Sequence, residues 1–300
     1  MSSPDLTFCK IPFCPEITEG SADIAVFGAP HGTPYKPGVA SHAANAPKAI
    51  REALSWHSVG HNQFDFDTMK TLFNNHKVVD CGNIDFNLKS GKVNRRAIYQ
   101  KTREILFSGA VPIVFGGDDS IPIPFIQSYE GIQKNLCIIQ IDAHIDWRDE
   151  INGIKQGYSS TMRRVSEMPH VETIIQIGAR GPGSAYQQDL NDAKEWGVHF
   201  FTGRDIHKNG IQPIFDCIPE QANVILTIDV DGLDPSYMPG VILPAFGGLS
   251  YQHMLDLIEG ISNKAKIAGA DFVEYVPEKD PALIGATMIA RLACVLISWV

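Results

Sequence analysis

Four short segments of the chain gather acidic side chains at spacings that suit metal-assisted chemistry. They are Gly116-Gly117-Asp118-Asp119-Ser120, Asp142-Ala143-His144-Ile145-Asp146, Asp229-Val230-Asp231-Gly232-Leu233-Asp234-Pro235 and Glu274-Tyr275-Val276-Pro277. In extended backbone, residues two apart point the same way. Asp142, His144 and Asp146 are therefore expected to project together, and so are Asp229 and Asp231. Carboxylates crowded without basic neighbours repel one another unless cations lie between them. Oxygen donors with one imidazole suit Mn²⁺ better than a thiolate-seeking metal, with Ni²⁺, Fe²⁺ and Zn²⁺ as open alternatives. Two such ions bridged by carboxylates sit about 3.5–4 Å apart, and a water shared between them is hydroxide at neutral pH. Hydrolysis is the chemistry this predicts. A single DxD or DGxDP is commonly a turn or a helix cap; the prediction rests on all four segments ending an apolar run.

Those runs supply the positioning elements. Segments 24–27, 77–80, 111–115, 136–141, 173–177, 224–228 and 267–273 read as strands. Most are rich in Val and Ile and nearly continuous in hydrophobicity, as in strands covered on both faces. Segments 47–55, 94–108, 185–196, 211–218 and 250–262 read as amphipathic helices, and a last helix is expected to start near Pro281. Alternation of β and α along the whole chain predicts a three-layer α/β/α fold around one mostly parallel sheet. No linker, repeat or low-complexity stretch interrupts residues 1–300, so a single domain is expected. Such sheets bind ligands outside the carboxyl ends of their strands, which is where the four segments fall.

With these residues in view, the chain resembles the ureohydrolase family of arginases and agmatinases, and its agmatinase-like branch above all. GGDDS, DAHID and DVDGLDP carry the resemblance. Lys36-Pro37-Gly38 with Ala46-Pro47-Lys48-Ala49-Ile50-Arg51 is similar to the family's RPG…GP-AIR segment, and Met162-Arg163-Arg164 and Ile177-Gly178-Ala179-Arg180-Gly181 resemble further segments. The resemblance implies an arginase/deacetylase-like fold and two divalent ions, Mn²⁺ with Ni²⁺ as the alternative. It also implies cleavage of a small cationic guanidino or amidine compound with release of urea. Carried over position by position, the ligands are Asp142, His144, Asp146, Asp229 and Asp231, with Asp119 standing where the family usually has histidine. The same carry-over makes Asp146 orient the attacking hydroxide and Glu274 pair with the guanidinium.

Two departures matter. Asp119 adds negative charge and has a shorter reach than imidazole, although the surrounding Gly116-Gly117-Asp118 and Ser120 keep the loop pattern, which favours a retained metal position. Tyr158, in Tyr158-Ser159-Ser160-Thr161-Met162-Arg163-Arg164, stands where agmatinase-like members carry a catalytic histidine. A phenol with a pKa near 10 is a poor proton shuttle at neutral pH, so Tyr158 either donates a hydrogen bond to the substrate or packs its loop. Around this set, Trp147 could stack on a planar cation, Arg148 could receive a substrate carboxylate, and His31 could line the pocket mouth; each also reads as packing or surface. Val241-Ile242-Leu243-Pro244-Ala245-Phe246-Gly247-Gly248 replaces a more polar family stretch and predicts an apolar or altered pocket wall. Arg163 and Arg164 read as structural or subunit-interface residues.

Bulk composition sets the remaining bounds. With 44% hydrophobic and 20% charged residues, the 300-residue chain can bury a sizeable core. A net charge of −9 argues against nucleic acid and anionic membranes as partners, and does not by itself indicate a cationic substrate. The six cysteines are scattered, which argues against structural zinc and for reduced thiols in the cytoplasm. The N-terminal stretch, with its prolines and Asp5, lacks a basic segment followed by an apolar one, and no run of about eighteen apolar residues is evident, so neither export nor a membrane span is expected. The resemblance implies a homotrimer or homohexamer. Two other readings stay open: a single-metal amide hydrolase of the deacetylase-like branch, should Asp119 fail to hold an ion, and a catalytically weak partner subunit of an active homologue.

Overall fold

Near-continuous apolar runs require cover on both faces. The computed structural model, which describes residues 6–55, 63–183 and 185–300, provides it with an eight-stranded sheet. Asp5 lies outside the described residues. In chain order the strands are β1 (Ile24–Ala29), β2 (Phe64–Asp65), β3 (Lys70–Thr71), β4 (Val78–Asn83), β5 (Val111–Gly116), β6 (Leu136–Ile141), β7 (Val171–Ile177), β8 (His199–Phe201), β9 (Asn223–Asp229) and β10 (Lys266–Val273). The large sheet has the order β4-β1-β5-β10-β9-β6-β7-β8 with every neighbouring pair parallel. β2 and β3 form a separate antiparallel pair.

Helices cover both faces. They are α1 (Ala46–Glu52), α2 (Gly91–Phe107), α3 (Pro122–Gln127), α4 (Thr161–Ser166), α5 (Gln187–Trp196), α6 (Gly203–Asn209), α7 (Gln212–Phe215), α8 (Tyr251–Lys264) and α9 (Ile284–Trp299). Strand side chains alternate between two cores. Ile24 and Val26 join Ile50, Ile206, Ile214, Leu257 and Ile289, from α1 and α6 to α9. Ala25 and Phe27 join Ile98, Phe125, Met162 and Ala193, from α2 to α5. The expected three-layer α/β/α architecture is the one found.

The differences are instructive. β8 and the β2–β3 pair are too short to show an apolar period, and α3, though almost wholly buried, begins Pro-Ile-Pro with no amphipathic repeat. The last helix begins at Ile284, because Pro281–Leu283 forms a separate 3₁₀ turn with Ala282 and Leu283 in the left-handed region. Pro281–Trp299 is also long and apolar enough to cross a membrane, contrary to the reading of the sequence, yet most of it is buried as a core helix of this fold. All six cysteines are free thiols, and Cys9 and Cys294 meet in the core with their sulfurs 3.7 Å apart.

One row of the sheet breaks the apolar rule. Gln176, Gln140, Thr227 and Asp271 are register neighbours across β7, β6, β9 and β10, all fully buried. On β6 and β9 this row lies two residues before Asp142 and Asp229.

Candidate active site

The loop after β5 passes so close to β1 that only glycine fits at position 117. A Cβ there would stand 2.3 Å from the carbonyl oxygen of Pro30. Asp118 then closes the turn on itself, its Oδ1 accepting the Ser120 amide at 3.2 Å and the Ser120 hydroxyl. Asp118 is thus a loop brace, and Asp119 is the residue that enters the site. Its backbone is held at both ends: the amide donates to Glu274 Oε1 at 2.8 Å, and the carbonyl accepts from the Thr161 hydroxyl. Its side chain is 2% exposed, and neither carboxylate oxygen has a hydrogen-bond partner among the described residues.

After β6, Gln140 Nε2 donates to Asp142 Oδ2 at 2.6 Å and to Asp146 Oδ2 at 3.1 Å. Gln140 is itself fixed by Gln176, whose Nε2 donates to Gln140 Oε1 and to the Ile145 carbonyl. Asp142 Oδ1 accepts the His144 amide at 2.6 Å. His144 Nδ1 lies 3.3 Å from Asp142 Oδ1 and 3.2 Å from Asp231 Oδ2. After β9, Asp229 Oδ1 accepts the Asp231 amide at 2.8 Å, and Asp231 Oδ1 accepts the Ala143 amide at 3.1 Å. The side chains converge as expected but not for the expected reason. β6 stops at Ile141, Asp146 takes a left-handed φ of 46°, and Asp231 sits in a 3₁₀ turn, so turn geometry rather than strand alternation gathers them.

Two trios of ligand atoms result, each with all atoms within 4.8 Å: Asp142, His144 and Asp231, and Asp119, Asp142 and Asp146. Asp142 belongs to both. Asp229 lies outside the trios but lines the same cavity.

Burial and mutual repulsion push the carboxyls of Asp119, Asp142 and Asp229 well above the usual carboxylate range. Burial also raises Asp146, against the opposing pull of its bond to Asp142 and the charge of His144. Asp231 goes the other way, because its bond to His144 and the charge there outweigh burial. For His144, burial is outweighed by the Asp231 partnership, and the imidazole is pushed up to about 9. Divalent cations would relieve all of these strains together, and the orphaned buried oxygens of Asp119 are the donors such an ion needs. The residues fit a pair of hard divalent ions.

Residues 22–298 match the family model described as the Arginase family. The chain is 29% identical over 285 residues to the mitochondrial agmatinase of Gallus gallus, covering 91% of this chain and 81% of that one. It is 27% identical over 259 residues to guanidinobutyrase of Pseudomonas aeruginosa, covering 83% of this chain and 79% of that one. Its fold matches the proclavaminate amidino hydrolase of Streptomyces clavuligerus with a TM-score of 0.86 at 24% identity, covering 100% of this chain and 97% of that one. The chain belongs to the arginase family. As a member it is a metal-dependent hydrolase acting on carbon–nitrogen bonds of linear amidines.

The cavity of this arginase-family chain measures about 310 Å³ and runs from the carboxylates to Arg148, Ile151, Tyr158 and Val241-Ile242-Leu243. Of the stretch 241–248, Val241, Ile242 and Leu243 line the cavity as an apolar wall, and residues 244–248 are not among its lining. Glu274 takes a left-handed φ of 66° and is 8% exposed. Burial raises its carboxyl, opposed by His42, whose Nε2 lies 2.5 Å from Glu274 Oε2. Tyr158 lines the cavity with its ring edge-on to Tyr35 at 4.5 Å, and burial pushes its phenol up to about 12. Arg148 lines it too, with Nη1 2.6 Å from Asp189 Oδ2 and the guanidinium 3.5 Å above the Tyr186 ring.

Two expectations are corrected. Trp147 does not reach the cavity: the left-handed turn at Asp146 sends it into the core, 2% exposed and packed edge-on to Trp196 at 6.5 Å. His31 does not line the mouth either. It is 5% exposed, stacks 4.2 Å from Phe86, and its Nδ1 accepts the Ser41 amide at 3.1 Å. Arg163 and Arg164 make ion pairs within the chain, with Asp192 at 2.9 Å and with Asp149 at 2.7 Å.

Sequence reasoning missed Gln140, Gln176, Arg180 as a brace, and His42. Arg180 donates to the carbonyls of Asp231 at 2.7 Å, Gly232 and Leu233 at 3.1 Å, so it anchors the backbone behind the second ligand loop. A polar residue two places before Asp142, inside an apolar strand, was the signal for Gln140. His42 gave none, since its partner is 232 residues away.

Proposed function

We propose that this protein hydrolyses a guanidino carboxylic acid, releasing urea, with two divalent ions, Mn²⁺ or Ni²⁺. The observation that supports it most is the pair of ligand trios sharing Asp142, with Asp119 offering two buried oxygens that no described residue satisfies. Asp119, Asp142 and Asp146 would hold one ion and Asp142, His144 and Asp231 the other, with Asp229 completing the set. When bound, the ions supply Lewis acidity and a water activated at neutral pH. Asp146 orients that water, Glu274 pairs with the guanidinium, and Tyr158 donates a hydrogen bond to the substrate.

Substrate choice follows from charge. Beyond the carboxylates and His144, which the carboxylates hold, the charged side chain among the described lining residues is Arg148, and its bond to Asp189 uses one nitrogen of its fork. That favours a substrate tail ending in a carboxylate over one ending in a second cation. The name of the Pseudomonas relative, guanidinobutyrase, is consistent with this.

Metal analysis joined to a urea-release screen tests the reading, over arginine, agmatine, guanidinoacetate, guanidinopropionate, guanidinobutyrate and guanidine. Two ions per chain and turnover of guanidino acids ahead of agmatine are expected. One tightly held ion would shift the assignment to the single-metal amide hydrolases, and full metal with no turnover would leave a partner subunit. A cytoplasmic homotrimer or homohexamer belongs to the same proposal. It is supported by the six free thiols and by exposed Phe64, Phe66 and Met69 around the β2–β3 hairpin. Sedimentation would give the subunit number.

A further inference from the structure

Turnover of a guanidinium by water forms one C–O bond and breaks one C–N bond. The electron pair of the broken bond leaves with the amine, which must take up two protons to depart as an ammonium ion. One comes with the attacking water as it adds to carbon. The second needs a donor on the substrate side of the cavity. Tyr158, pushed up to about 12, is a poor one near neutral pH. Tyr35 is raised as well, by burial. His144 is turned towards Asp142 and Asp231, and His31 spends its Nδ1 on the Ser41 amide.

His42 is differently placed. It follows the Ser41 amide that His31 holds, its Nε2 meets Glu274 Oε2 at 2.5 Å, and its ring stands edge-on to Tyr158 at 5.8 Å. The other oxygen of Glu274 is fixed by the Asp119 amide. A quarter of the His42 side chain is exposed, so the ring touches both solvent and the carboxylate that meets the substrate.

We propose that His42 is a positioning residue and proton reservoir for this reaction, acting across its hydrogen bond to Glu274. In this role, resting on the amidinohydrolase reading above, its imidazolium keeps Glu274 a carboxylate for the incoming guanidinium. As the C–N bond breaks, the Nε2 proton moves across the Oε2 bridge to the departing nitrogen. The remaining proton of the attacking water is returned to the neutral imidazole through solvent at its exposed edge, so the protein ends as it began. The groups facing His42 favour this. Burial opposes its positive charge most and Lys279 adds to that, Tyr158 is neutral, and the bond to Glu274 with the charges of Glu274 and Asp118 together outweigh them. An imidazole thus serves from beside Tyr158, the residue that stands where the resemblance leads one to expect it, with the two rings 5.8 Å apart.

The decisive variants are His42→Gln, which keeps a hydrogen-bond donor but cannot titrate, and His42→Ala with added imidazole. For the metal-loaded enzyme, His42→Gln is expected to lower kcat about 10²-fold with KM changed by less than about threefold, and to abolish the alkaline fall in kcat. Imidazole is expected to restore part of the His42→Ala rate. A His42→Gln enzyme with the wild-type kcat and pH profile would overturn the proposal. NMR titration of the His42 ring gives a readout that needs no turnover. Replacing Glu274 by Gln is expected to lower its pKa, and an unmoved titration would overturn the pairing. Wild-type protein that binds two ions, shows the His42 shift and hydrolyses no guanidino compound would sink the function and the reservoir role while leaving the His42–Glu274 pair standing.

Discussion

Two buried acids, Asp80 in the sheet and Asp119 in the loop that follows β5, have opposite surroundings. Asp80, in edge strand β4, is fully buried against Arg51, itself 2% exposed. Its Oδ2 accepts from the Phe8 amide at 2.9 Å and Arg51 Nε at 2.8 Å, and its Oδ1 from the Gly82 amide at 2.8 Å and Arg51 Nη2 at 2.9 Å. Each oxygen has two donors, about the capacity of a carboxylate, and the charge is cancelled by a guanidinium. Asp119, two residues beyond the double glycine at the end of β5, has no donor to either oxygen among the described residues and is surrounded by other acids. A saturated, paired buried acid holds the fold together. An unsaturated one among its own kind fits the metal-ligand role proposed for it.

The largest expected contrast comes from removing one residue from each region. Asp142→Ala deletes the ligand common to both trios, so kcat/KM should fall by at least about 10³-fold and the folded protein should lose most of its bound metal. Arg51→Ala should leave metal per folded molecule unchanged and cost about 3–5 kcal/mol of stability, since it strands Asp80 as an uncompensated buried charge. Metal analysis beside urea denaturation reads both. If Arg51→Ala lost its metal, or Asp142→Ala kept it, the division between structural and functional acids would collapse.

A smaller effect is expected one layer down. Gln140 orients Asp142 and Asp146 without being a candidate ligand, so Gln140→Ala should weaken metal affinity about 10–100-fold and leave the fold intact. Competition with a chelator would measure it. An affinity equal to that of the wild type would mean that the carboxylates hold their own positions.

How much of this was legible without coordinates depends on chain distance. The ligand loops could be read because each is a local string after an apolar run, and the sheet because its strands are continuous enough to be seen one at a time. What escaped needed a partner far along the chain: His42 with Glu274, Arg51 with Asp80, Gln176 with Gln140. Trp147 was misplaced for a related reason. Residue types said that an indole beside DAHID could stack on a cation, but one left-handed turn at Asp146 decided that it faces the core. Chemistry was visible in composition and spacing, and direction was not.

Asp271 falls between the two regions and gives the finest test. One oxygen accepts the Thr227 hydroxyl at 2.9 Å, while the other has no partner among the described residues. Burial pushes its carboxyl up to about 8, against the pull of the Thr227 bond. The sign of the pH effect follows from linkage. An unfolded aspartate releases its proton near pH 4, whereas the folded one keeps it to about 8, so between these values the unfolded state binds fewer protons and stability falls as pH rises. Asp271→Asn cannot titrate. In metal-stripped protein, its melting temperature relative to wild type should therefore climb from about pH 4 and level off above about pH 8, by about ten degrees in all. A difference that stays constant across that range would mean that Asp271 is ionised in the folded protein, and would place it with the saturated acids of the Asp80 kind.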